Sequence, residues 1–92
     1  MYFALLYEVV EDYVERRKPF REEHLALAEK ASRDGRLALA GAFHPADGAL
    51  LVFDVPSAGD VEEFVRRDPY VKNGLVTSWR IREWKVVVGA RK

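Results

Sequence analysis

Two stretches, "YFALLYEV" at residues 2–9 and "ALLVFDV" at 49–55, are apolar on both parities. A strand with one face in water alternates apolar and polar side chains. A strand apolar on both sides has to be covered on both sides. The rest of the chain offers two amphipathic helices, which can cover only one face of a small sheet. This mismatch between faces to cover and elements to cover them constrains the fold more than any other feature.

The remaining elements follow from punctuation. "VEDYVERRKP" reads as a connection with at most one short helical turn. Pro19 suits the first position of a helix that runs to about Asp34, with Gly35 as its left-handed C-terminal cap. "RLALAGAF" (36–43) reads as a strand broken by Gly41, and "HPADG" (44–48) as a turn. Ser57 followed by Asp60 resembles a capping box opening a second helix to Arg67, which stops at Asp68-Pro69. Residues 75–88 read as a long last strand. The order is β-α-β-β-α-β, which predicts an α+β, ferredoxin-like, four-stranded antiparallel sheet with two helices on one face. The sheet's other face then calls for a second copy of the chain, and we expect a homodimer.

Composition narrows the function. Ninety-two residues make one domain, here 1–92. Fifteen basic and fifteen acidic side chains cancel, and no basic stripe interleaves with aromatics, so neither nucleic acid nor membrane is an expected partner. With no cysteine, thiolate zinc sites and thiol nucleophiles are excluded. No apolar run approaches the roughly 20 residues of a membrane span. The start, "MYFALLYEVV", lacks the features of a signal peptide, so a cytoplasmic location is the expectation.

Each helix carries one ionisable residue on its inward face. Phe20, His24, Leu27 and Ala31 form one stripe; Val61, Phe64, Val65 and Asp68 form another. A histidine on an apolar face is commonly a core residue bonded to a backbone carbonyl, and an Asp before Pro commonly just ends a helix. Together they also suit general acid/base chemistry, since a carboxylate on one imidazole nitrogen fixes the tautomer and raises the basicity of the other. The two helices are expected to run roughly parallel in this fold. His24 early in one and Asp68 at the end of the other are then not expected to touch within one subunit, which leaves a shared cleft or one completed by the partner subunit. His44 reads as a solvated turn residue, Ser57 as a cap, and the two histidines lack metal-ligand spacing. "VERRKPFREE" and "EEFVRRD" read as solvated helix surface. Trp79 and Trp84 face opposite sides of the last strand, one expected under the helices or at a pocket and the other in the dimer interface.

Arg21-x-x-His24-Leu25, then Gly35-Arg36-Leu37 followed by Gly41, then Asp68-Pro69-Tyr70-Val71-x-x-Gly74-Leu75-Val76 occur in an order and spacing that resemble the YciI-like, or YCII-related, domain proteins. The resemblance spans nearly the whole chain and implies a dimeric α/β barrel. It also implies an active-site pair at His24 and Asp68, with Arg21 and Tyr70 as supporting, substrate-binding residues. The wider group includes a dehydrochlorinase acting on a chlorinated hydroxyquinol. The chain departs from the family pattern at Gly41-Ala42 and Glu83-Trp84, which bears on pocket shape. The function so expected is a small cofactor-independent enzyme, without metal, performing elimination or isomerisation on a small organic, cyclic or aromatic substrate. The alternative is a non-catalytic, dimeric small-molecule-binding or interaction module.

Overall fold

The computed structural model describes residues 1–89. Its elements are β1 (Tyr2–Val9), α1 (Tyr13–Arg16), a 3-10 turn (Lys18–Phe20), α2 (Arg21–Arg33), β2 (Leu37–Ala42), β3 (Gly48–Asp54), α3 (Ala58–Arg67), α4 (Pro69–Lys72) and β4 (Val76–Trp84). The four strands form one sheet in the order β2-β3-β1-β4, with every neighbouring pair antiparallel. This is the expected ferredoxin-like arrangement, with α1 and α4 as additional single turns.

The inner parity of β1 and β3 builds the core. Phe3, Leu5 and Tyr7 of β1 pair with Phe53, Leu51 and Ala49 of β3, and all six are buried beneath α2 and α3. Leu5 is completely enclosed, a burial that contributes about 1.5–3 kcal/mol. Phe53 and Phe64 meet edge to face at 5.1 Å, joining β3 to α3. The outer parity, Tyr2, Ala4 and Leu6, pairs with Asp54, Val52 and Leu50 on the face without helices. There the side chains are mostly half-buried, and Leu39 is 72% exposed.

Helix ends follow local chemistry. Gly35, at φ 80°, closes α2: its N–H bonds the Ser32 carbonyl and the Arg36 N–H bonds the Ala31 carbonyl. Gly74, at φ 76°, closes α4 in the same way, with Leu75 N–H on the Tyr70 carbonyl. Several boundaries differ from expectation. Pro19 opens the 3-10 turn instead of α2, which starts at Arg21. The Ser57 side chain makes no cap bond to the backbone; its hydroxyl donates to the Asp60 carboxylate at 3.3 Å. Gly41 does not break β2, because it stays in register opposite Leu50; the irregularity lies between Leu37 and Leu39. The last strand ends at Trp84, short of residue 88.

The tryptophans do stand on opposite faces, since Trp79 pairs with Tyr7 and Trp84 with Tyr2. Neither is buried, at 41% and 49% exposed. Trp79 therefore does not pack under the helices: β4 is an edge strand, and among the described residues no strand lies beyond it to enclose a large side chain. Among the described residues, no helix is long and apolar enough to cross a membrane.

Candidate functional site

Asp68 is set in place by the proline after it. Pro69 biases its predecessor away from helical ψ, and Asp68, at ψ 119°, ends α3 and serves as N-cap of α4. Its Oδ1 accepts from the Tyr70 backbone N–H at 3.0 Å. The same oxygen accepts from His24 Nδ1 at 2.8 Å, and Oδ2 accepts from the Tyr7 hydroxyl at 2.7 Å. Asp68 has no exposed surface. An ionised carboxylate, which only accepts, satisfies all three donors, and among the described residues no buried side-chain polar atom lacks a partner.

His24 and Asp68 thus meet within one chain, against the expectation from parallel helices. The reason is topological. β1 and β3 are antiparallel, so α2, following β1, and α3, following β3, run in opposite senses. The start of α2 then lies beside the end of α3. With Nδ1 donating to Asp68, His24 keeps Nε2 as its basic nitrogen. The side chain is 13% exposed, and among the described residues the ring is not bonded to a backbone carbonyl.

Aromatic contacts fix the imidazole plane. Tyr70 stacks on His24 with ring centroids 3.8 Å apart and planes 9° from parallel, and Tyr13 meets Tyr70 edge-on at 5.6 Å. Tyr70 is fully enclosed, so it offers no surface to a ligand; its hydroxyl accepts from Arg21 Nη1 at 3.4 Å. Burial, and next the adjoining Asp68 charge, push the Tyr7 phenol well above its ordinary range. Tyr13 moves up as well, mainly through burial, with Arg17 opposing the shift.

His24 lies on the wall of a cleft of about 360 Å³ between α2 and β2, within the size range of small-molecule sites. Tyr7, Tyr13, Arg17 and Arg21 line it beside His24. The far wall is residues 38–42 on β2, small except for Leu39, a stretch that includes the Gly41-Ala42 departure from the family pattern. Of the expected site residues, the structure brings His24, Asp68, Tyr70 and Arg21 together. His44 stands apart in an exposed turn.

Tyr7, Tyr13 and Arg17 were missed by sequence reading. Tyr7 carried a signal: a phenol on the core parity of β1 needs a buried partner for its hydroxyl. Arg17 sits four residues after Tyr13, with its Cζ 5.0 Å from the Tyr13 ring centroid. That spacing was lost in a stretch read as a solvated charge run, whereas Arg17 and Arg21 in fact face the cleft. Among the described residues, no three His, Cys, Asp or Glu side chains gather as a metal site requires.

In overall shape the chain is similar to the 5-chloro-2-hydroxyhydroquinone dehydrochlorinase TftG from Burkholderia phenoliruptrix, solved in complex with 2,5-dihydroxybenzoquinone. The TM-score is 0.80 at 22% identity, over 92% of this chain and 94% of that one. A NIPSNAP family protein from Agrobacterium tumefaciens is more distantly similar, with TM-score 0.56 at 19% identity over 88% and 87% of the two chains. Both likenesses concern the fold. Comparison with curated proteins gives no match. The family model of the YCII-related domain matches residues 1–85, nearly the whole chain, and the protein belongs to that family.

Proposed function

We propose that this protein is a small enzyme that moves protons on a small organic, cyclic or aromatic substrate, without a metal or organic cofactor. The observation that carries this reading is the 2.8 Å bond between His24 Nδ1 and a fully buried Asp68, with His24 on the wall of a cleft. Nε2 of His24 removes a proton from a substrate carbon. Asp68 holds the tautomer and stabilises the imidazolium that forms. Tyr70 holds the ring plane, a positioning task in place of direct substrate contact. Arg21, whose hydrogen bond to the Tyr70 hydroxyl is long, stabilises an oxygen that gains charge as the proton leaves. Loss of a leaving group from the neighbouring carbon completes an elimination; return of the proton to a different carbon completes an isomerisation. The dehydrochlorinase of similar fold supports elimination as the first chemistry to test.

The test is proton exchange and halide release with a panel of chlorinated and unchlorinated hydroxybenzenes in D2O, followed by NMR. Wild type is expected to act on at least one member, with His24→Ala abolishing turnover while binding stays within a few-fold. Asp68→Asn is expected to lower turnover by about 10²-fold or more, as an orienting carboxylate does. Turnover that survives His24→Ala sinks the reading.

One observation favours a second reading. Asp68 ties β1, α2 and α4 together with all its bonds satisfied, which is also what a structural pin in a non-catalytic binding module does. Saturable binding by a panel member that never exchanges or eliminates would favour that module.

We also propose that the chain is a homodimer through the sheet face opposite the helices. The support is the apolar, uncovered parity of β1 and β3, together with Leu39 and Trp84 standing exposed beside it. A second copy covers that face at no cost in new sequence.

A further inference from the structure

The cleft between α2 and β2 holds two cations with unspent charge at one end. Lys18 pairs with Glu15, Lys30 and Arg36 with Asp34, and Arg66 and Arg67 with Glu63. Among the described residues, neither Arg17 nor Arg21 forms an ion pair. Both guanidinium groups line the cleft and flank one aromatic assembly: Arg17 lies over Tyr13, Tyr13 abuts Tyr70, and Tyr70 stacks on His24 and accepts from Arg21. Asp68, the carboxylate beneath them, is taken up by Tyr7, His24 and the Tyr70 N–H. The carboxylate on the wall, Glu29, is two helical turns from Arg21 along α2, about 12 Å away.

We propose that Arg17 is a ligand-binding residue, and that the cleft takes a small cyclic or aromatic carboxylic acid carrying a second oxygen. A guanidinium fork matches a carboxylate, and cradling against Tyr13 holds Arg17 half-buried, where a charge pair is screened less than at the surface. Arg17 takes the carboxylate, leaving Arg21 for the oxygen next to the carbon that faces His24. The small side chains of Ala40 and Ala42, which share the core parity with Leu51 and Ala49, leave a slot for a flat apolar body, and Glu29 at the far end repels a second carboxylate there. This inference rests on the reading of the cleft as the site and adds the class of molecule that fills it.

Benzoate and its neutral isostere benzamide serve as probes, titrated into the full chain at low salt and followed by ¹H–¹⁵N NMR. Wild type is expected to bind benzoate about tenfold more tightly than benzamide, the ratio that one charged hydrogen-bond pair provides. Arg17→Gln should bring that preference below about threefold with benzamide unchanged, and Arg17→Lys should recover part of it. His24→Asn should keep the preference. Equal binding of the two probes, a preference that persists in Arg17→Gln, or no saturable benzoate shift at all overturns the proposal. A preference that depends on Arg17 in a protein that never moves a substrate proton would defeat the catalytic reading and leave this one standing.

Discussion

Tyr7 has to remain a phenol for Asp68 to keep all three of its donors. In Tyr7→Phe, Oδ2 of a fully enclosed carboxylate loses its hydrogen-bond donor. The expected cost is about 1–3 kcal/mol in urea unfolding. The pH dependence has a definite sign. Burial and the Asp68 charge raise the Tyr7 phenol above its ordinary value of 10.0, so the folded chain holds that proton more tightly than the unfolded one. The resulting stability is fully present below pH about 10 and is lost as the pH rises above it, because the unfolded chain releases its proton first. Tyr13 shifts in the same direction, so Tyr7→Phe should flatten the alkaline loss without abolishing it. Unfolding midpoints below and above pH about 10 check this. An equally steep loss in the variant would mean that the Tyr7 proton is not the source.

At the scale of elements, the site depends on α4, a helix of one turn that cannot persist by its own propensity. It is held by Asp68 at its start and Gly74 at its end. Gly74 adopts φ 76°, with open space where a Cβ would be, so Gly74→Ala adds backbone strain without a clash. The expected cost is about 1–2 kcal/mol. Because the Leu75 N–H to Tyr70 carbonyl bond closes this turn, the strain reaches the tyrosine stacked on His24. Turnover should therefore fall along with stability. Thermal unfolding and activity measured on one preparation test this, and full activity in a destabilised Gly74→Ala would show that the stack does not depend on the cap.

For the whole molecule, the uncovered sheet face decides the assembly. Leu6 lies between Leu50 of β3 and Arg80 of β4 on that face, half-buried and close to its centre. Sedimentation is expected to give a dimer for the wild type and a monomer for Leu6→Glu, whose carboxylate stays solvated beside Arg80 in the monomer and would have to lose its water in the dimer. A wild-type monomer at high concentration would remove the dimer proposal. The cleft needs no residue from a second copy to bring His24 to Asp68, so a folded Leu6→Glu monomer should retain that bond.

Much of this architecture was legible along the chain, because its causes are local. Runs apolar on both parities marked β1 and β3, Gly35 and Pro69 marked helix ends, and spacing put His24 and Asp68 on inward faces. The connection "VEDYVERRKP" already allowed the single turn of α1, but α4 was not legible, since a four-residue helix leaves too few positions for a period to show. Arg17 was hidden because charge runs look alike whether they face water or a cleft. What only the tertiary structure decided was which inward-facing groups meet. The partners of Asp68 lie 44 and 61 residues away in sequence, at His24 and Tyr7. Their meeting depends on the antiparallel pairing of β1 with β3, which turns the start of α2 toward the end of α3. Local propensity sets where an element begins and which side it buries. The sense in which two elements pass one another is a property of the assembled sheet, and here that sense joins a helix-ending aspartate to a histidine.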